Sequence, residues 1–94
     1  MDSTPAQEQI LQRLSQVPDV SEVYEIIGRY QIIRHVGGRS QTVTLEIFDA
    51  GERANPLDRY HAFASTPDGR TAAGHPDASV ERVLENLHWE HLDR

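Results

Sequence analysis

The groups with which this chain could do chemistry are its histidines, a few loop carboxylates and its serines. His88 and His91 stand three apart near the C-terminal end. On a helix that spacing lets two imidazoles reach one metal ion. No third ligand accompanies them, so they read as one solvated and one partly buried histidine at a helix C-terminus, where the dipole suits a cation. His35, His61 and His75 are scattered and read as surface or turn residues. Asp49, Glu52 and Asp58 flank one loop, and paired carboxylates can do acid–base work. They lie among Gly, Pro and Arg with no apolar run to raise a pKa, so they read as a solvated loop with Arg53 and Arg59 as neighbours. Ser40 and Ser65 lack the residues of a nucleophile elbow. Gly37-Gly38 lacks the spacing of a phosphate-binding loop. There is no cysteine, which removes disulfides and thiolate metal sites. The expectation is a protein that is not an enzyme and carries no cofactor and no metal.

Trp89, the only tryptophan, points toward binding instead. Tryptophan is enriched at interaction hot spots. With Tyr24 or Phe48 it could form an apolar patch for a protein partner or a second copy. The competing reading is a tryptophan that closes the open end of a small core. Phe48 and Phe63 fall on an outer sheet face in the pattern below, which suits sheet-to-sheet or edge-to-edge pairing.

The element that positions these residues is a hairpin. Residues 29–36 and 40–49 are β-prone runs flanking Gly37-Gly38, a strong signal for a two-residue turn. That turn fixes the register. It opposes Ile32 to Val43, Tyr30 to Leu45, His35 to Ser40, Ile33 to Thr42, Gln31 to Thr44 and Arg29 to Glu46. One face then carries Tyr30, Ile32, Val43, Leu45 and Ile47, and the other is mostly polar. A one-residue slip would mix the faces. A sheet apolar on one side needs cover on that side alone, and the rest of the chain should supply helices for it.

Thr4-Pro5-Ala6-Gln7 reads as a helix start, with Thr4 as N-cap and Pro5 at the first helical position. Ala6, Ile10, Leu14 and Val17 share a face with Leu11 beside them, and Pro18 ends the helix at Val17. Asp19–Gly28 fits two structures. Val20, Val23, Tyr24 and Ile27 have helical spacing, with a capping box at Asp19 and Gly28 as C-cap. Tyr24, Ile26, Tyr30 and Ile32 alternate as one long strand would, and in the hairpin register Ile27 would then face Phe48. After a loop over residues 50–57, Arg59–Thr66 reads as a strand with Tyr60, Ala62 and Ala64 on one face. Pro67-Asp68-Gly69 is a turn, and Arg70–Ala73 a short fourth strand. The last helix begins with Asp77 or Ser79 as N-cap and carries Val80, Val83, Leu84 and Leu87 on its apolar stripe. At about 100° per residue, Trp89 sits about 180° from Val80 and His91 falls near the stripe centre. Either the helix ends near His88 and Trp89 folds back, or Trp89 faces outward.

The expected fold class is therefore α+β. It is one small domain over residues 1–94, an antiparallel meander of three to four strands with N-terminal and C-terminal helices packed on one face. Its order is α-β-β-β-(β)-α. Ninety-four residues at 37% apolar content give a modest core. No apolar run approaches the ~20 residues of a membrane span. The N-terminus lacks the order of a signal peptide, and Asn55 and Asn86 miss the glycosylation pattern. The expected setting is cytoplasmic, in a bacterial-type protein.

Net charge is -6, and every basic residue but histidine is arginine. Residues 1–28 carry -4, residues 77–94 carry -3 and residues 29–76 carry +1. The helical segments are acidic, and no basic stripe tracks a phosphate backbone. Nucleic acid is therefore not the expected partner, and a protein partner or self-association is expected.

The order helix, meander, helix resembles that of double-stranded-RNA-binding domains. Where those domains carry a basic cluster, this chain reads Ser79-Val80-Glu81-Arg82. Thr71-Ala-Ala-Gly74 followed by Ser79-Val-Glu-Arg-Val-Leu84 is similar to the sheet-to-helix passage of HicB-type antitoxins. The leading expectation is a small non-enzymatic protein–protein interaction or regulatory module, homodimers included, acting through Trp89, Phe48 and Tyr24. Acidic helices would set partner choice by charge. One alternative is a nucleic-acid-binding module using Arg29, Arg34, His35 and Arg39. The other is a small metal-dependent hydrolase using His88 and His91.

Overall fold

The computed structural model describes residues 5–52 and 54–93. Thr4 and Arg53, invoked above as a helix cap and a loop neighbour, lie outside them. Helix α1 (Pro5–Ser15) is followed by strands β1 (Glu25–Val36), β2 (Arg39–Asp49), β3 (Tyr60–Ser65) and β4 (Thr71–Ala73), helix α2 (Val80–Glu85) and a 3₁₀ turn at Trp89–Asp93. The strands form one antiparallel sheet in the order β1-β2-β3-β4. This is the expected α+β class, with a fourth strand present. It also departs by that strand from the three-stranded order of double-stranded-RNA-binding domains.

Gly37 and Gly38 both take positive φ, 57° and 77°. That conformation matches the twist of the flanking strands, and glycine adopts it without a Cβ penalty. The hairpin register is the expected one at all six opposed pairs from Arg29↔Glu46 to His35↔Ser40.

Between the first helix and the hairpin, the strand reading prevails from Glu25 onward. Helix α1 stops at Ser15, two residues earlier than expected, and the chain tightens through i→i+3 bonds to Val17. Asp19, expected to cap a helix, adopts φ 70° in the turn instead, a conformation that aspartate tolerates better than most residues. Residues 20–24 are irregular and β1 begins at Glu25. The register shifts between Ile26 and Gly28, so Ile26, not Ile27, faces Phe48, and Gly28 faces Ile47. The helical alternative loses because Glu25, Ile26 and Gly28 pair with the far end of β2, where the backbone groups that face β2 gain ladder partners. Gly28 is not a helix cap. A Cβ there would sit 2.8 Å from Cε2 of Tyr30, whose ring lies across the strand.

On the core face, Val43, Leu45 and Ile47 of β2 continue into Tyr60, Ala62 and Ala64 of β3 and Ala72 of β4, all buried. The three alanines let other chain segments approach closely. Val83 from α2, Leu87 just after it and Leu92 from the last 3₁₀ turn fill the space above them. Ser79 caps α2, its Oγ accepting from the Arg82 N–H at 3.2 Å. The helix then ends at Glu85, shorter than expected. Its exit lies directly on β4. A Cβ on Gly74 would overlap the Asn86 carbonyl, and His88 N donates to Ala73 O at 3.2 Å. This contact turns the chain so that Leu92 is fully buried.

Helix α1 is fixed at the other end of the same face. Leu11 is buried against Gly51, and Glu52 N donates to Glu8 Oε1 at 2.8 Å. Ile10 and Leu14 remain exposed. Tyr30 also lies on the core face, opposite Leu45, yet is 55% exposed. The cover formed by α2 and the last turn lies over β3 and β4, on the far side of the sheet from β1.

Candidate interaction surface

The alternation of β2 and β3 sends Phe48, His61 and Phe63 to the face opposite the core, with Phe48 directly across from His61. Their rings stack with centroids 4.7 Å apart and 9° between planes. Tyr24, in the irregular segment before β1, closes the cluster edge-on, 4.7 Å from His61 and 6.3 Å from Phe48. Offset and edge-on arrangements of this kind add to simple area burial. Phe63 (38% exposed) and Ile26 (53%) extend the patch. An open cavity of ≈ 420 Å³ is lined by Tyr24, Phe48, His61, Phe63 and Pro76.

Acidic groups rim this patch. Burial, and after it the hydrogen bond and charge of Glu22, push the Tyr24 hydroxyl above its usual range. Burial pushes the His61 imidazole below its usual value, against the smaller opposing pull of Glu22. Glu46 stands opposite Phe63 on β2, where Arg29 Nε approaches it at 3.5 Å. The cluster can therefore offer a flat, partly desolvated aromatic surface with a negative border.

Trp89 does not join Tyr24 and Phe48. It packs half-buried against the core cluster on the opposite face of the sheet. The Arg34 guanidinium lies 5.5 Å from its ring centroid. Arg34 also donates to Gln41 Oε1 at 2.7 Å and pairs with Asp93 at 3.1 Å. Of the two positions open to Trp89, the structure takes the one in which the helix ends first and the ring folds back. His91, expected near the stripe centre, is exposed because the helix does not reach it.

Asp49 also departs from expectation. It is only 4% exposed rather than solvated. Its oxygens accept from Arg59 Nε at 2.8 Å, Arg59 Nη2 at 3.0 Å, Gly51 N at 2.8 Å and Gln7 Nε2 at 3.1 Å. Burial alone would raise this carboxyl, but the Arg59, Gly51 and Gln7 donors outweigh it and hold it below the usual carboxylate range. A carboxylate saturated in this way ties α1, β2 and the following loop together. Glu52 and Asp58 are exposed, as expected. The rings of His88 and His91 stack 5.3 Å apart at the surface, with His88 Nδ1 3.3 Å from Glu90. Among the described residues no group of three His, Asp or Glu could hold a metal ion.

The sequence singled out Tyr24 and Phe48, and the structure brings them together. It missed Ile26 and the role of His61, which it read as a surface residue. The alternation His61–Phe63 was the available signal, since it follows from the Tyr60, Ala62, Ala64 core stripe. No protein-family model, curated protein or solved structure matches this chain. Fold and surface together define an α+β domain with one sheet face covered and the other open. No helix among the described residues is long and apolar enough to cross a membrane.

Proposed function

We propose that the chain is a protein–protein interaction module without catalytic activity of its own, and that it binds through the outer sheet face. The observation that carries this reading is the Tyr24–Phe48–His61–Phe63 cluster, which is aromatic and open to solvent. Exposed apolar clusters rimmed by polar groups mark interaction sites. The border of Glu22 and Glu46 selects a partner segment that combines an aromatic or aliphatic anchor with flanking Arg or Lys. Net charge of -6 speeds encounter with such a partner over longer distances.

Selection from a random peptide library against the purified protein tests this. Enriched peptides should pair an aromatic anchor with basic residues, and Phe48→Ser or Phe63→Ser should weaken them at least tenfold. Trp89→Phe should leave them unchanged, because Trp89 lies on the other face. Peptides insensitive to both phenylalanine variants, or acidic in composition, would overturn the reading.

A further inference from the structure

The long outer edge of the sheet carries an inference independent of the aromatic face. We propose that β1 pairs antiparallel with β1 of a second copy, joining two four-stranded sheets into one continuous sheet across a homodimer.

Strand β1 runs twelve residues and lies at the edge of the sheet. In a two-residue hairpin with both turn residues at positive φ, the flanking pair Val36↔Arg39 exchanges both backbone hydrogen bonds. Alternation from that pair aims the backbone of Arg34, Ile32, Tyr30 and Gly28 at β2. The N–H and C=O groups of His35, Ile33, Gln31 and Arg29 then point outward. All four of these residues are exposed. Edges of this length are commonly blunted by lysine, proline or a central bulge. This one has neither residue type, and its single irregularity lies at the Ile26–Gly28 end, leaving residues 28–36 regular.

A second copy is the occupant that fits. The approach to β1 is acidic, with Asp19, Glu22 and Glu25, and the exit is basic, with Arg34, His35 and Arg39. An antiparallel two-fold sets each acidic end beside the basic end of the other copy. A parallel arrangement would oppose like charges. The register centred on Gln31 pairs outward backbone groups with outward backbone groups. It also seats Tyr30 against Ile32 of the second copy, twice by symmetry. Aromatic and β-branched side chains make favourable cross-strand pairs. This gives Tyr30, exposed on the core face, the cover that α2 does not provide. The same register brings the hairpin end of the second copy beside Glu25 and the ≈ 280 Å³ groove lined by Ile10, Leu14 and Tyr24. Because the two-fold is normal to the sheet, both outer faces look the same way.

The test is light scattering on a size-exclusion column over a concentration series. The wild-type chain should run at twice its 10.6 kDa. Gln31→Lys places two like charges across the two-fold and should weaken the dimer at least tenfold. Gln31→Pro removes an outward N–H without touching a donor to β2 and should do the same, with circular dichroism verifying the fold. The chain has no cysteine, so Gln31→Cys supplies a single thiol that should oxidise readily to a covalent dimer. A wild-type chain that is monomeric throughout the series would overturn the proposal. So would a dimer whose mass survives both Gln31→Lys and Gln31→Pro. Phe48→Ser should lose peptide binding and keep the dimer mass, which separates failure here from failure of the outer-face reading. A dimer lost with Phe48→Ser but not with Gln31→Lys would place the contact on that face and sink the edge model.

Discussion

The two edges of the sheet are finished in opposite ways. At β4 the strand is three residues long, its inner surface is alanine, and α2 and the last 3₁₀ turn close over it. At β1 the strand is twelve residues long, its side chains are large, and no described element covers Tyr30. The difference follows from side-chain size. Ala62, Ala64 and Ala72 allow backbone to approach, and the Gly74–Asn86 contact brings it to the sheet. Tyr30 on β1 presents a full-sized ring on that same face. The part of the sheet with the smallest side chains is therefore the best buried, and the part with the largest is left for contacts outside the chain.

Substitutions should separate the two ends by size of effect. Asp49→Ala, at the joint between α1 and β2, should cost roughly 2–4 kcal/mol, because it leaves the half-buried Arg59 guanidinium without its carboxylate. Leu92→Ala at the closed end should cost about 3 kcal/mol. Tyr30→Ala at the open end should cost under about 1 kcal/mol in the monomer. Urea unfolding of the three variants, each measured as a monomer, checks the order. Equal losses for Leu92→Ala and Tyr30→Ala would erase the contrast between the edges.

Arg34→Ala spans the two ends, removing the contact with Trp89 and the Asp93 pair. It should cost about 1 kcal/mol. For a domain of this length that shifts Tm by roughly 4–8 °C. Glu46→Gln, which removes the ion pair with the exposed Arg29, should cost a few tenths of a kcal/mol.

Two pH responses sharpen the same comparison. The depressed Asp49 carboxyl contributes stability that is fully present above the unfolded value of about 3.9. That stability is lost as pH falls through the folded value, and Asp49→Asn should flatten this limb of the acid-unfolding curve. His61, also depressed, is neutral at pH 7, with Tyr24, Phe48 and Glu22 as its neighbours. Its protonation as pH falls below about 6.5 opposes burial under a basic partner. Peptide binding at the outer face should therefore weaken as pH falls below the ordinary histidine value of about 6.5, and His61→Gln should remove that slope. Partner titrations followed by anisotropy would show it.

Much of this fold was legible because it depends on local rules. Gly37-Gly38 and period-two alternation determined the turn, the register and the division of the sheet into two faces. Ser79 marked the start of α2, and the Tyr60, Ala62, Ala64 stripe marked the inner face of β3. The surface was legible as far as Phe48 and Tyr24 went. Other features turned on contacts between residues far apart in the chain. Asp19–Gly28 carried a helical and an extended pattern of similar strength, and pairing with the end of β2 decided for strand. Asp49 read as a solvated loop residue until Gln7, Gly51 and Arg59 converged on it. Trp89 read as either a core lid or a surface residue until the exit of α2 met Gly74. Side-chain period and turn chemistry follow from the local chain and can be read in one dimension. Which apolar residues are covered depends on how closely two distant backbones can approach, and only the tertiary structure decides that.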